Sequence, residues 1–393
     1  MLRRSTPRRL KLLTQELRPP FRGSVRSSST TVDQMNKAGA LSGLKVLNLS
    51  RVLAAPFCTQ ILADYGAGVI KVEQRTTGDD TRQWTVGGEA GKWKTEGPMS
   101  SYFNSVNRNK RSITLDLKKA GGREILLELA KISDVLIENF VPGKTDELGV
   151  GYNPVSKTNP AIIYASVYGY GPSGPYQRRT GYDAIAAGVA GLMHITGQPD
   201  SPPVRPGLGM VDTCTGLYLH VAILAALQAR NQTGKGEKLD ASLFETQISL
   251  LINIGADWLN LGVEGKRNSN VHPSIAPCNT FQTKDGYLAT NAKRVEHGKA
   301  IDEIVERVLK NKTLDEWMKV FEGRGLAHGP VNTIERAFDH PQIQARNMVE
   351  SVPCEEVSAG EVKVIGIPVK FGDTPGRICK GHHIWGSILM KSW

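Results

Sequence analysis

The sequence has few cysteines, and no two of them lie close together in the chain. The five cysteines, an odd number in 393 residues, are scattered and never form a C-x-x-C pair. Neither a disulfide framework nor a zinc knuckle is therefore predicted. Long apolar runs are also scarce, because His220 and Gln228 interrupt the best one, residues 217–229. That run falls short of the roughly 18 residues of a membrane span, so we expect no membrane span.

Acidic residues are scarce at the start of the chain. The formal net charge is +11, but the first thirty residues hold eight bases and the single acid Glu16, which leaves +4 for the rest. A mildly basic remainder does not indicate a nucleic-acid-binding protein. An Arg-, Ser- and Leu-rich opening is typical of a mitochondrial presequence. We therefore expect a presequence and linker over 1–40 and a location in the mitochondrial matrix; a basic tail without function is the alternative.

Cofactor and metal motifs are missing. A dinucleotide-binding Rossmann site needs G-x-G-x-x-G after its first strand, whereas residues 50–56 contain no glycine. Gly143-Lys144-Thr145 ends like a P-loop, but Glu138 stands where the first glycine should be. No H-E-x-x-H helix is present, and the histidines are too dispersed for a local metal signature. The sequence predicts neither a metal nor a redox cofactor.

Strand-like and helix-like patterns alternate from residue 41 onward, which predicts an α/β fold with a doubly wound, Rossmann-like parallel sheet. Ligands of such sheets bind at the carboxyl ends of the strands. Strands are predicted at 45–49, 69–73, 112–117, 134–140 and 161–167. Helices are predicted at 57–65, 122–132, 184–192, 213–229 and 241–261.

The chain is long enough for two domains, because single cores stop growing near roughly 250 to 300 residues. Residues 41–250 are predicted as the large domain and 255–335 as a smaller α+β domain. Within the latter, 279–288 has the pattern of a hairpin, and 301–309 and 314–323 have that of amphipathic helices. Residues 340–393 are expected to return to the large domain and to end in an atypical tail.

Two charged segments of the sequence are candidates for a functional site. Asp212 follows Gly207 and Gly209 and precedes an apolar helix, so its carboxylate lies near a helix N-terminus that a ligand can approach closely. An ordinary N-cap aspartate is the alternative. Residues 107–112, Asn-Arg-Asn-Lys-Arg-Ser, place three cations together, which suits a diphosphate or a ribose phosphate. A solvated basic edge is the alternative there.

Taken together, these phrases resemble the family III CoA-transferases, a family that also includes an α-methylacyl-CoA racemase branch. The resemblance covers about residues 41–290, and 191–197 with 203–207 are most similar to a mitochondrial branch that uses succinate and hydroxymethylglutarate. It implies an interlocked homodimer with a large Rossmann-like domain and a smaller α+β domain. The matching phrases include SRVLAAP (50–56), VIKVE (69–73), GDDTR (78–82), NRNKRS (107–112), ENFVPG (138–143), GYGPSGPY (169–176) and GYDA (181–184).

The resemblance also implies the chemistry. It places the family's nucleophilic aspartate on Asp212, so CoA would pass from a donor, expected to be succinyl-CoA, to a dicarboxylic acid through an aspartyl-CoA thioester. CoA thioesters and free acids are the expected partners, with no tightly bound cofactor. For Leu53 and Phe140 a plain core role is the alternative. By resemblance, the CoA-binding residues are Leu53, Ala54, Gln74, Arg75, Leu115, Lys118, Asn139, Phe140 and Tyr182.

Differences from the family pattern bear on the predicted activity and on the predicted CoA site. At about the place of Tyr182, the racemase branch carries a histidine that acts as its base. A tyrosine with an ordinary pKa of about 10 is a poor base at neutral pH, so a transferase is favoured over a racemase. A 2-methylacyl-CoA racemase-type epimerase or an inactive paralogue is the alternative. Gln74 stands where many family members carry arginine, and Arg75 is expected to substitute for it. The small domain is expected to be abridged after Asn291.

Overall fold

A computed structural model describes residues 39–381, with gaps at 90, 95–97, 272–277, 292–297, 325–326 and 356. The predicted presequence, up to residue 38, and residues 382–393 of the predicted tail lie outside the described residues. The chain divides into two units, one with residues up to 186, 209–247 and 347 onward, the other with 187–208 and 248–346. The predicted domain bounds stay a prediction; residues 187–208, placed by them in the large domain, group with the second unit.

A six-stranded sheet lies at the centre of the first unit. All neighbouring strands are parallel, in the order β3-β2-β1-β4-β5-β6. This is the Rossmann strand order, so the predicted doubly wound α/β fold is confirmed. The strands are β1 (Lys45–Asn48), β2 (Gly68–Glu73), β3 (Lys110–Thr114), β4 (Val135–Glu138), β5 (Ile163–Tyr168) and β6 (Lys238–Ser242).

The core of this unit runs across the sheet. Leu47 of β1 is the register partner of Ile70 and Leu136, and Leu136 is that of Tyr164; all four are almost fully buried in one apolar cluster. Strands covered on both faces have few polar positions. The helices of this unit include α1 (Ala54–Asp64), α2 (Ser101–Asn107), α3 (Ala120–Lys131), α4 (Lys144–Glu147), α5 (Tyr152–Thr158), α6 (Asp183–Val189), α7 (Met210–Thr233) and α8 (Leu243–Ser249).

Helix α7 packs closely against α1. A Cβ at Gly216 would lie 2.6 Å from the carbonyl oxygen of Ala54, so only glycine permits this separation. By length and composition alone, α7 could cross a membrane. The sequence predicted no such span, because His220 and Gln228 interrupt the run of apolar residues. Its buried residues, which include Leu219 and Ile223, give it the packing of a core helix.

The second unit contains a small antiparallel sheet with helices. Strands β7 (Cys278–Gln282), β8 (Tyr287–Asn291) and β9 (Ala327–Pro330) pair in that order, which confirms the predicted hairpin and the α+β character. Phe281 and Leu288 are buried in one cluster with Leu309, Leu314 and Trp317. The helices of this unit are α9 (Ile252–Leu261), α10 (Gly298–Leu309), α11 (Leu314–Phe321), α12 (Ile334–Phe338) and α13 (Pro341–Ala345).

The single helix predicted over 241–261 is divided into two helices, and its first two residues belong to a strand. The sheet takes residues 238–242 as β6, α8 follows at once, and α9 begins at Ile252, whose φ of 44° interrupts helical geometry. Residues 241 and 242 end the partly exposed strand β6. Pairing with β5, through Tyr164 and Lys238 among others, decides for the strand.

The end of the described chain returns to the first unit. Strands β10 (Val349–Pro353) and β11 (Glu361–Ile365) form a two-stranded antiparallel ladder. Beyond it, the Asn109 side chain donates to the carbonyl of Arg377 at 2.8 Å and accepts from the Cys379 amide at 2.8 Å. The first residues of the predicted atypical tail are thus attached beside the start of β3.

Candidate active site

The predicted CoA-binding residues follow four neighbouring strands. β1, β2, β3 and β4 are parallel and adjacent in the sheet, so the loops that leave them meet at one edge, where α/β sheets bind ligands. Leu115 and Phe140 belong to the core or pack on it, whereas Gln74, Arg75 and Lys118 are exposed. The residues of this edge are Leu53 and Ala54 after β1, Gln74 and Arg75 after β2, Leu115 and Lys118 after β3, and Asn139 and Phe140 after β4.

The order in which successive strands are added to the sheet reverses between β1 and β4. Asn139 bridges the loops that leave these two strands. Its Oδ1 accepts from the Arg51 amide at 3.0 Å, and its Nδ2 donates to the Arg51 carbonyl at 2.8 Å. A topological switch point is where the loops of a doubly wound sheet separate to form a crevice. Asn139 therefore fixes one side of that crevice, and its role in the structure is to shape the loop that carries Leu53.

A buried ion pair supports the same loop. Val52 has φ 70°, a left-handed conformation that costs a β-branched residue about 1–3 kcal/mol. Its amide donates to both carboxylate oxygens of Asp79, at 3.2 and 3.3 Å. Asp79 in turn pairs with Lys71 at 2.8 Å, and Lys71 also donates to the Ser50 carbonyl at 2.7 Å. The fully buried Asp79 carboxylate thus stabilises the strained backbone conformation of Val52.

The loop after β1 also contacts the start of α7. A Cβ at Gly209 would lie 2.8 Å from Leu53 Cδ2 and 3.7 Å from Asp183 Oδ1. A side chain at this position would push the end of Leu53 away. Gly209 therefore brings Leu53, Asp183 and the first turn of α7, which carries Asp212, into one small volume.

The Asp212 side chain does not cap its helix. The N-cap residue is Gly209, and Asp183 Oδ1 accepts from the amides of Val211 at 2.8 Å and Asp212 at 3.1 Å. The capping interpretation of Asp212 is therefore wrong. Among the described residues, no group donates a hydrogen bond to the Asp212 carboxylate, which leaves both of its oxygens available to a reacting molecule.

Electrostatics distinguish Asp212 from an ordinary surface aspartate. Burial, and then repulsion by the neighbouring Asp183 carboxylate, raise the pKa of Asp212 to about 7. An acid with a pKa this far from its ordinary value, placed beside a ligand edge, marks a candidate reactive group. Tyr182, next to Asp183 in sequence, is 55% exposed and is free to meet a substrate.

Two of the three cations in the basic phrase 107–112 are enclosed and cannot take part in a phosphate site. Arg108 pairs with Asp64 at 2.7 Å and is buried. Lys110 Nζ donates to the carbonyls of Pro56 and Val106 and to Asn107 Oδ1, which uses all three of its protons. Neither the phosphate site nor the solvated edge is correct for Arg108 and Lys110, because both cations are enclosed by their own unit.

Sequence reasoning did not single out Lys71, Asp79 and Asp183. A signal existed for Lys71, since a cation inside the otherwise apolar strand VIKVE needs a buried partner. Asp183 has a weaker signal, an acid at the start of a helix. Its target, the N-terminus of another helix 28 or 29 residues further on, depends on the tertiary fold.

Comparisons with known proteins show which family this chain is similar to. The model of CoA-transferase family III matches residues 41–293 and 287–382; the two segments meet where the small domain was expected to be abridged. The chain is 51% identical over 365 residues to an acyl-CoA transferase of Fusarium pseudograminearum, which covers 86% of this chain and 80% of the relative. It is 39% identical over 365 residues to the succinyl-CoA:glutarate CoA-transferase of Homo sapiens, with 86% and 81% covered.

A solved structure shows the same architecture. The crystal structure of a CAIB/BAIF family protein from Brucella suis superposes with a TM-score of 0.80 at 34% identity, covering 89% of this chain and 97% of that one. A family match over most of the chain, together with relatives well above 30% identity, establishes the relationship. The chain belongs to CoA-transferase family III and is an enzyme that transfers CoA.

Proposed function

We propose that this enzyme transfers CoA from an acyl-CoA donor to a free dicarboxylic acid, with Asp212 as the covalent nucleophile. The observation that carries the proposal is the Asp212 carboxylate, which has no hydrogen-bond donor among the described residues and stands in the first turn of α7, whose N-cap Gly209 faces Leu53 at the ligand edge of the sheet. A structural aspartate at the start of a helix would use its oxygens to cap amides.

The proposed reaction needs a carboxylate and no metal ion or redox cofactor. Asp212 attacks the thioester carbonyl of the donor, the C–S bond breaks, and a mixed anhydride and CoA thiolate result. The thiolate then attacks the aspartyl carbonyl, which frees the donor acid and leaves an aspartyl-CoA thioester. The acceptor carboxylate reverses both steps, so the acceptor leaves as its CoA thioester and Asp212 is regenerated as a carboxylate.

The edge residues are proposed to hold CoA. Arg75 and Lys118 are exposed cations after β2 and β3, suitable for phosphate groups, and Arg75 compensates for the neutral Gln74. Leu53 and Phe140 offer apolar surface for adenine or pantetheine. Ala54, Leu115, Asn139 and Tyr182 complete the proposed contacts.

The substrates, location and assembly are also proposed. The name of the human relative, a succinyl-CoA:glutarate CoA-transferase, supports succinyl-CoA as donor and a dicarboxylic acid such as glutarate as acceptor. The basic opening of the sequence supports a mitochondrial matrix location. Exposed apolar side chains on α9, among them Trp258, Leu259 and Leu261, support a homodimer, because patches of this kind mark interfaces.

The decisive test replaces the nucleophile. Asp212→Ala and Asp212→Asn should each lose transfer by several orders of magnitude and retain acyl-CoA binding, since the carboxylate acts on the reaction path and not on the long CoA moiety. Hydroxylamine added to the unmodified enzyme with succinyl-CoA should convert the Asp212 peptide to a hydroxamate, detected by mass spectrometry. Asp339→Ala, which removes an exposed aspartate of the second unit, is the matched control.

Several results would contradict the proposal. A folded, CoA-binding Asp212→Ala enzyme that still transfers CoA would remove the nucleophile from the mechanism. Exchange of the α-proton of a 2-methylacyl-CoA in deuterated buffer, as fast as CoA transfer, would favour the racemase-type alternative. An unmodified enzyme that binds acyl-CoA and neither transfers nor forms the hydroxamate would be the inactive paralogue.

A further inference from the structure

The first amides of α7 are satisfied from outside the helix. Asp183, the first residue of α6, accepts from Val211 and Asp212 through a single oxygen, Oδ1, at 2.8 and 3.1 Å. The first amides of a helix have no partner inside it. Asp183 is therefore an N-cap supplied by a different helix, 28 residues before the first amide that it satisfies.

The usual acceptor for these amides, an N-cap side chain, is missing because the N-cap residue is Gly209. Without Asp183, the nearby Asp212 carboxylate would be drawn to them. Asp212 is the third residue of α7, and an acid in the first turn of a helix is drawn to free N–H groups and to the positive end of the helix dipole. A carboxylate bound in this way is more stable as an anion and less reactive. By occupying the amides, Asp183 leaves the Asp212 oxygens free.

The backbone holds Asp183 firmly in this position. Gly169, directly after β5, and Gly181 lie in backbone contact: a Cβ at Gly169 would be 2.6 Å from the Cα of Gly181. The carbonyl of Tyr182 accepts from the Ala186 amide at 3.0 Å as α6 begins. The end of a buried strand thus determines where the Asp183 carboxylate lies.

We propose that Asp183 is a positioning residue for the nucleophile, which caps α7 so that the Asp212 carboxylate stays free and which destabilises that carboxylate by its negative charge. This inference rests on the proposed role of Asp212. The mixed anhydride and the aspartyl-CoA thioester on Asp212 are both uncharged, so each relieves the repulsion. The charge of Asp183 therefore favours covalent intermediates over the free enzyme.

The surroundings of Asp212 support the charge effect. Leu53, from the loop after β1, faces Gly209 at the start of α7. Asp183 is the first residue of α6 and Tyr182 directly precedes it, and Cys214 follows on α7 itself. Burial and then the Asp183 charge raise the pKa of Cys214, the same two causes as for Asp212. The field of Asp183 thus reaches the first turn of α7 as a whole.

Two substitutions separate the cap from the charge. Asp183→Asn keeps an Oδ1 acceptor for both amides and removes the charge, whereas Asp183→Ala removes both. We equilibrate each enzyme with succinyl-CoA and succinate over a range of pH, measure the fraction of enzyme present as aspartyl-CoA thioester by intact mass, and record kcat/KM against pH. Thermal unfolding of each variant verifies that it is folded.

For Asp183→Asn we expect the pKa of Asp212 to fall by about one unit, since a nearby like charge has been removed. The ratio of thioester to free enzyme above neutral pH should then fall about tenfold, and the acid limb of kcat/KM should move by about one unit to lower pH. Asp183→Ala should lose a further factor of about 100 in kcat/KM at all pH values, because Asp212 is no longer held in a reactive orientation.

The outcomes distinguish this inference from the function on which it rests. If the unmodified enzyme forms no thioester on Asp212, the proposed function fails. If it does, and Asp183→Asn leaves both the thioester ratio and the acid limb unchanged, the charge role of Asp183 is overturned. Unchanged kcat/KM in Asp183→Ala would overturn the capping role.

Discussion

At the scale of single residues, reactivity and stability oppose each other at Asp212. The folded protein buries this carboxylate beside a second acid, Asp183, and both effects raise its pKa from the ordinary 3.8 to about 7. A raised pKa means that the folded chain binds the proton more tightly than the unfolded chain does. Ionised Asp212 therefore destabilises the fold, and this cost develops as the pH rises from about 4 to about 7.

Asp212→Asn should remove that cost. We expect the variant to unfold at a higher temperature than the unmodified enzyme at about pH 8, and at nearly the same temperature at about pH 4, where Asp212 is protonated in the folded state. Thermal unfolding followed by circular dichroism over this range measures the difference. Asp339→Asn, at an exposed site, should show no such pH dependence; a Tm difference for Asp212→Asn that is equal at both pH values would contradict the account.

At the scale of elements, the separation of α1 and α7 determines where Asp212, the proposed nucleophile, lies. Gly216 lies one turn beyond Asp212 on α7, and the backbone of Ala54, the first residue of α1, approaches it there. The same two helix starts carry Leu53 and Asp212. A displacement of α7 would therefore move Asp212 relative to the loop after β1.

Gly216→Ala should lower stability in spite of the better helix propensity of alanine. Propensity alone would add up to about 1 kcal/mol, but the new Cβ would lie 2.6 Å from backbone oxygen, and overpacking of this kind costs about 1–3 kcal/mol. We expect a net loss of up to about 2 kcal/mol in urea unfolding and slower CoA transfer.

Gly207→Ala is the matched control for this substitution, because nothing lies within 4 Å of a Cβ at that position. Its effect on stability should stay within about 0.5 kcal/mol. If the two variants were equally stable and equally active, contact between α1 and α7 would not position the nucleophile.

At the scale of the whole molecule, charge is distributed very unevenly along the chain. The first thirty residues carry +7 of the formal net charge of +11, and the two folded units share the small remainder. Inside the first unit the charges that stand out are enclosed pairs, such as Lys71 with Asp79. The basic character of the protein is thus a property of its opening segment. This segment predicts import into mitochondria and not a surface that binds nucleic acid.

A reporter fused to residues 1–40 should accumulate in mitochondria and be shortened there. The physical reason is that a basic, acid-poor amphipathic segment is what mitochondrial import recognises. Fluorescence microscopy and the mass of the recovered reporter measure both effects. Replacement of the eight bases by glutamine is the control and should leave the reporter in the cytosol; cytosolic retention of the unaltered fusion would exclude the presequence.

The sequence by itself determined the alternation of strands and helices, the parallel sheet and Asp212 as a candidate site residue, whereas its proposed role as nucleophile was implied by the family resemblance. These three predictions follow from local apolar patterns and from phrases that stay together in the chain, as in residues 207–213 around Asp212. It also indicated the edge at which Leu53, Lys118 and Asn139 follow their strands, because the carboxyl ends of parallel strands share one edge.

Only the tertiary structure decided how the charged groups are used. Arg108 and Lys110, a plausible phosphate site in sequence, are enclosed by partners that lie far away along the chain or in other elements, such as Asp64 and the carbonyl of Pro56. Asp183 caps a helix that begins 27 residues after it, and in doing so frees Asp212. The reason is physical: the energy of a charge depends on its burial and on its neighbours in space, and neither can be derived from local sequence pattern.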